Sequence, residues 1–192
     1  YNLGVRSIIT IATKSSNFEK VKKISEKFEN VWFSIGIHPH QASVDPYAQN
    51  KKYILESLNH NKCIAIGETG LDYFYNYSSK KDQIDCFKMQ ISIAQETQKP
   101  IIIHSRDADD DMSKILLEEF NKKPFKGVLH CFTGGDRLAK NALDIGFYIS
   151  FSGIITFKNS QYLQEIFLNV PYDKYLIETD SPYLSPEPHR GK

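Results

Sequence analysis

Several short apolar runs in this sequence stop at residues able to bind a metal ion or move a proton. "FSIGIHPH" ends on His38 and His40, "IAIGE" on Glu68, and "PIIIHSRDA" on His104 with Arg106 and Asp107 behind it. "GVLHCFTGG" ends on His130, followed by Thr133, Gly134 and Gly135, and "LIETDSPYL" ends on Asp180. Imidazoles and carboxylates with no cysteine among them suit a divalent cation of the zinc, manganese or magnesium kind. Such a cation lowers the pKa of bound water and polarises an electrophile, so the chemistry these residues suit is hydrolysis. Each residue has a plainer reading alone: a hydrogen-bonded strand-end histidine, a helix cap at Glu68, a turn at Asp180 before Ser-Pro. Four such causes would have to coincide at one end of a sheet to imitate a metal site.

Other features suit an anionic substrate. Thr133–Gly135 precedes a helical stretch and could offer backbone N–H groups to a phosphate, or be an ordinary tight turn. Arg106, Arg137 and Arg190 follow apolar strands in a chain with 20 lysines and four arginines, where a guanidinium fork or simple chance are even readings. His38, His40, Arg106, Thr133 and Gly134 are thus the candidate substrate-binding residues. Tyr73, Phe74, Tyr75 and Tyr77 crowd the segment after Glu68, where aromatics either stack on bases or pack the loop. His60 reads as a surface residue, and Asp109–Asp111 as the acidic first turn of a helix.

The elements that must carry these residues are legible from periodicity. Seven continuous apolar runs, Ser7–Ile11, Val31–Ile37, Cys63–Ile66, Ile101–Ile103, Gly127–Leu129, Phe147–Phe151 and Tyr175–Ile177, have the character of strands buried on both faces. Between them lie helical stripes: Phe18–Phe28, one around Ile84–Ala94, one around Ile115–Phe120, Gly135–Asp144 and Gln161–Asn169. Strand and helix alternate throughout, which predicts one α/β domain with a parallel sheet. No GxGxxG turn argues for an open dinucleotide-binding sheet. The expected fold is a TIM-type (β/α) barrel with seven of its eight strands, whose C-terminal strand ends share one face. Period-two parity pairs Ile66 with Glu68, Ile102 with His104 and Val128 with His130. It also puts Glu178 below Asp180, where a buried carboxylate needs a partner or an outward turn.

Composition sets wider bounds. The 192 residues are 41% hydrophobic and 24% charged with a net charge of +1, so any nucleic-acid affinity must come from a local patch. No apolar run approaches the ~20 residues needed to span a bilayer. Cys63, Cys86 and Cys131 lack CxxC spacing and read as buried thiols of a reducing, cytoplasmic compartment.

The motifs "GIHPH", "IGETGLDY", "PIIIHSRDA", "HCFTG" and "ETDSPYL…PHRGK" resemble, in order and spacing, the TatD family of metal-dependent deoxyribonucleases. The resemblance runs through residues 1–192. It implies an amidohydrolase-type TIM barrel, two divalent ions (Mg, Mn or Zn) and a DNA substrate cut from its 3′ end. By motif match, Glu68 looks like the carboxylate shared by both metals, His104 and His130 like ligands of one, and Asp180 like the ligand of the other beside the attacking water. Glu68 and Asp180 are then the catalytic candidates, and Glu68, His104, His130 and Asp180 the metal candidates. The family's opening His-x-His strand and its C-terminal region have no counterpart in these residues. The expectation is therefore an internal piece of a longer protein, with one partly complete metal site. Neither a membrane nor an obligate protein partner is readable. Alternatives are a deacylase acting on mischarged tRNA, like some relatives, and a non-catalytic nucleic-acid-binding barrel.

Overall fold

The strand–helix alternation of the sequence is realised in the computed structural model, which describes residues 4–191. The strands are β1 (Ile8–Ile11), β2 (Val31–Ile35), β3 (Cys63–Asp72), β4 (Ile101–Arg106), β5 (Gly127–Leu129), β6 (Tyr148–Phe151) and β7 (Tyr175–Ile177). The helices are α1 (Phe18–Lys27), α2 (Lys51–Ser57), α3 (Lys80–Thr97), α4 (Asp109–Lys122), α5 (Asp136–Asp144) and α6 (Gln161–Asn169). All neighbouring strands pair in parallel and in chain order, β1 to β7, and the sheet curls into a TIM-type half-barrel. Among the described residues β1 and β7 do not pair with each other, and Ile8, Ile9, Leu176 and Ile177 on these outer strands are exposed.

One face of the sheet packs on the helices. Ile35, Ile101, Ile103 and Ile149 are fully buried there with Phe87, Ile91 and Ala94 of α3 and Met112 and Leu116 of α4. The alternate residues Ile102, His104, Val128 and His130 are only half-buried and look into the curl.

Three elements differ from the sequence reading. Helix α2 was not among the expected stripes; it is short and begins at Asn50, whose side chain accepts the Tyr53 N–H. Arg137 lies inside α5 and pairs with Asp110, so it is a surface ion-pair residue rather than a loop residue. The largest difference is β3, which runs through "GETGLD" to Asp72 instead of stopping at Ile66. The reason is β4, which continues to Arg106 and supplies partners: Gly70 pairs with His104, Leu71 with Ser105 and Asp72 with Arg106. An extra residue is accommodated between Ile66 and Thr69, opposite Ile101 to Ile103, so a bulge rather than plain alternation aims Glu68. Cys63 and Cys86 are buried thiols as expected, whereas Cys131 is half-buried with its Sγ 3.1 Å from Ser152 Oγ.

Gly70 is required by this arrangement. Its φ is +139°, and a Cβ there would run into the His104 carbonyl oxygen. Gly70→Ala must therefore push β4 away at the residue that carries His104. It is expected to lower the stability by more than about 1 kcal/mol and to weaken divalent-ion binding with it, read from urea denaturation and from titration calorimetry.

Candidate metal centre

Helix α3 sets up the site before any charged group does. Gln83 and Gln90 lie two turns apart on its buried face. Gln90 accepts the Ile37 N–H and donates to the Ile37 carbonyl and to Thr69 Oγ1, at 3.0, 3.0 and 2.6 Å. Gln83 accepts the Asp72 N–H at 2.8 Å and donates to the carbonyls of Asp72 and Ser78. Two amides thus replace missing sheet partners where β2 and β3 run out, and fix the chain at Ile37, just before His38, and at Asp72.

Three imidazoles converge on one oxygen of Glu68. His130 Nε2 lies 3.0 Å, His104 Nδ1 3.1 Å and His38 Nε2 3.4 Å from Glu68 Oε1. The other side of each strand-end ring is also engaged. His104 Nε2 meets Asp72 Oδ2 at 3.1 Å, and His130 Nδ1 meets Glu178 Oε1 at 2.9 Å. Glu178 also accepts from Ser150 Oγ at 2.6 Å, which supplies the partners that parity required for a carboxylate one layer below Asp180.

The electrostatics follow from this packing. Burial pushes Glu68 up, but the three histidines outweigh it and hold its carboxyl well below the usual range. Burial drives His104 and His130 toward the neutral form. Asp72 and Glu68 reverse this for His104, and Glu178 and Glu68 for His130, which is raised well above its ordinary value. Carboxylates on both ring nitrogens thus favour the protonated form of each of these imidazoles.

His38 is different. Its Nδ1 accepts the His40 backbone N–H at 3.1 Å, and burial lowers its pKa. A neutral ring with an acceptor at Nδ1 carries its hydrogen on Nε2. His38, Glu68 and His104 present ligand atoms within 4.8 Å of one another. On that tautomer His38 turns an N–H rather than a lone pair toward Glu68, and Glu68, His104 and His130 remain the candidate ligands. That set, two imidazole nitrogens and a carboxylate with an orienting carboxylate behind each imidazole, fits a divalent cation.

Asp180 follows β7, half-buried, and feels the charges of His130, Glu68, Glu178 and His104. Burial raises its pKa, and the neighbouring Glu68 and Glu178 reinforce the shift against the two histidines. It is the one carboxyl of the group with a raised pKa, the property of a proton acceptor.

Asp72 was not among the sequence candidates. It is 1% exposed, and its Oδ2 is shared between His104 Nε2 and His40 Nε2, at 3.1 and 2.8 Å. Its Oδ1 accepts the N–H groups of Phe74 and Tyr75, each at 3.0 Å. The only sequence signal was a second acid four residues after Glu68. Asp72→Asn keeps the shape but removes the charge that orients His104. It is expected to lower divalent-ion affinity about 10- to 100-fold, with Asp72→Glu recovering little because the site is closed; manganese titration checks both.

The substrate candidates divide. His40 is committed to Asp72 and is a tether rather than a free donor. Arg106 ends β4 with its guanidinium 3.9 Å above the Phe74 ring. Thr133 and Gly134 do not join the histidines. They line a neighbouring hollow of about 530 Å³ with Asp107, Asp109, Asp110 and Asp111. The Gly135 N–H is donated to Asp109 Oδ2 at 2.7 Å, so a carboxylate already fills the place expected for a phosphate. That expectation is corrected at Gly135, whose N–H is taken by Asp109, in a hollow where Lys80 faces four aspartates. His60 is corrected too. Its ring packs 5.4 Å from Phe33 and its Nδ1 accepts the Lys62 N–H, so it is partly buried.

Comparison with known proteins adds the family. A sequence profile described as "TatD related DNase" matches residues 1–192. A protein of Buchnera aphidicola described as an uncharacterized metal-dependent hydrolase is 46% identical, over 100% of this chain and 74% of its own length. The protein described as "3'-5' ssDNA/RNA exonuclease TatD" of Salmonella typhimurium is 33% identical, over 95% of this chain and 70% of its own. The crystal structure of YjjV, a TatD homologue of Escherichia coli, superposes with a TM-score of 0.85 at 26% identity, covering 98% of this chain and 73% of that one.

Proposed function

Since the chain belongs to the TatD-related DNase family, we propose that it is a divalent-metal-dependent hydrolase of phosphodiester bonds, removing nucleotides from the 3′ end of DNA. The observation that supports this most directly is the convergence of His38, His104 and His130 on Glu68 Oε1. Glu68, His104 and His130 would hold one divalent ion, with Asp180 and Glu68 available to a second. When bound, such ions lower the pKa of water and neutralise charge developing on the phosphoryl oxygens.

The chain's own groups have separable tasks. Asp180, lifted by burial, takes a proton from the attacking water. The His38 Nε2–H, fixed by the hydrogen bond at Nδ1, donates to a phosphoryl oxygen and positions it. Asp72 and Glu178 each accept from the outer nitrogen of an imidazole and keep the inner one aimed at the site. Among the described residues no helix is long and apolar enough to cross a membrane.

The deciding experiment offers the protein, with manganese or magnesium, three substrates: single-stranded DNA labelled at the 5′ end, the same strand with a blocked 3′ end, and a mischarged aminoacyl-tRNA. The expected result is a metal-dependent ladder shortening from the 3′ end, stopped by the block. Deacylation of the tRNA without any ladder would replace this reading with the deacylase alternative, and chelator-resistant activity would remove the metal from it.

A further inference from the structure

The segment between β3 and α3 carries three aromatic rings that the protein leaves in solvent: Phe74 is 53%, Tyr75 38% and Tyr77 62% exposed. They do not act as packing for the loop. That task falls to Tyr73, which is half-buried and donates its hydroxyl hydrogen to Asp111 at 2.8 Å.

The exposed rings form an ordered series that starts at the metal centre. His40, tethered to Asp72, meets Tyr75 and Tyr77 edge to face with centroids 5.3 and 4.9 Å away. Tyr75 and Tyr77 stack on one another at 5.2 Å and 16°. Phe74 sets its ring at 85° to Tyr75 and carries the Arg106 guanidinium on its face. Among the described residues Arg106 takes part in no ion pair, so the hydrogen-bonding edge of its fork is free for a phosphate.

The series is held rigid at both ends. Asp72 Oδ1 accepts the N–H groups of Phe74 and Tyr75. At the other end Ser78 is buried, accepts the Ser43 N–H and donates to the His40 carbonyl, while Gln83 donates to the Ser78 carbonyl. The ordering cost of a binding surface is thus met on folding, before any ligand arrives. Exposed aromatics at a preorganised site, stacked in series beside a free guanidinium, have the makings of a nucleobase platform.

We infer that the exposed ring of Tyr77, backed by Tyr75, is the stacking platform for an unpaired nucleobase of the substrate strand, with Arg106 on the adjoining phosphate. This inference rests on the phosphodiesterase reading above and assigns the residues that would hold the base at the strand's end. In a duplex the terminal base is held by its partner strand and opens only its outer face, whereas a frayed or single-stranded end can swing free and lay either face on Tyr77.

The test measures binding, not turnover. Fluorescence anisotropy, with EDTA present to prevent cleavage, compares three probes: a short labelled oligothymidylate, the same strand with its 3′-terminal residues abasic, and a blunt duplex. The proteins are wild type, Tyr77→Ala and Tyr77→Phe. Tyr77→Ala is expected to weaken the oligothymidylate by roughly 5- to 150-fold, to leave the abasic strand within twofold of wild type, and to erase most of the preference for single strands. Tyr77→Phe, which keeps the ring, should match wild type. Equal weakening of both single strands, or no weakening of either, overturns the platform. So does a wild type that does not distinguish oligothymidylate from the abasic strand. Base-dependent binding through Tyr77 without any manganese-dependent cleavage would keep the platform and sink the hydrolytic reading, so the two fail separately.

Discussion

Glu68→Gln is expected to abolish tight divalent-ion binding and hydrolysis together while leaving the fold in place. The substitution preserves shape and removes the negative charge on which three imidazoles converge. Loss of an orienting partner behind a ligand costs about 10- to 100-fold in metal affinity. Loss of the charged ligand common to all three imidazoles should exceed the upper end of that range. The metal-free protein keeps its fold because His104 retains Asp72 and His130 retains Glu178. The cost there is that of one imperfectly matched buried group, about 1–3 kcal/mol. Manganese titration calorimetry and thermal melting with and without metal check both halves. Unchanged manganese affinity would reduce Glu68 to a strand-end acid that merely neutralises nearby histidines.

The second large effect is on pH. In the metal-free protein the pKa values of His104 and His130 stand above the ordinary value, because carboxylates face both nitrogens of each ring, so both rings hold their second proton to higher pH than a free imidazole. An ion engaging His104 Nδ1 and His130 Nε2 must expel a proton from each. Ion affinity is therefore expected to rise with pH through neutrality until the raised pKa values are passed, then level off. Stability moves in opposite directions in the two states. A histidine whose folded pKa is raised stabilises fully below its unfolded pKa, near 6.5, and that contribution fades as pH climbs through the folded value. The metal-free protein should thus lose stability from neutral to mildly alkaline pH, while the gain in melting temperature on adding manganese grows over the same range. On the acid side, Glu68, Asp72 and Glu178 have lowered pKa values. Their contribution is present above the unfolded carboxylate pKa and disappears as pH falls through the folded values. Titration calorimetry in two buffers of different ionisation enthalpy counts the protons directly. Binding with no proton release would mean that the ion sits away from both histidines.

Much of this was written locally in the chain. Continuous runs of isoleucine and valine between helical stripes mark parallel strands, so the seven strands and the common direction of their polar ends follow from composition and order, although β1 and β7 at the sheet edges stay exposed where burial on both faces was expected. Each strand-end residue stands next to the run that positions it, which is why Glu68, His104, His130 and Asp180 could be read as candidates, and why five motifs sufficed to indicate the family. The tertiary structure decided what depends on partners distant in sequence. Nothing near Asp72 signals that β4 extends to Arg106 and carries β3 along with it, so its place in the site is a tertiary result. Gln83 and Gln90 are clamps only because the fold brings Asp72 and Ile37 to the buried face of α3. The role of His38 depends on a tautomer set by the His40 N–H, a turn geometry that residue identity does not encode. The Thr133–Gly135 turn has the composition of an anion cradle, and only the packing of α4 against it brings the Asp109 carboxylate to the Gly135 N–H. Burial periodicity is a property of neighbours along the chain and survives in the sequence, whereas a hydrogen bond or ion pair across 26 or 32 residues leaves no periodic trace there.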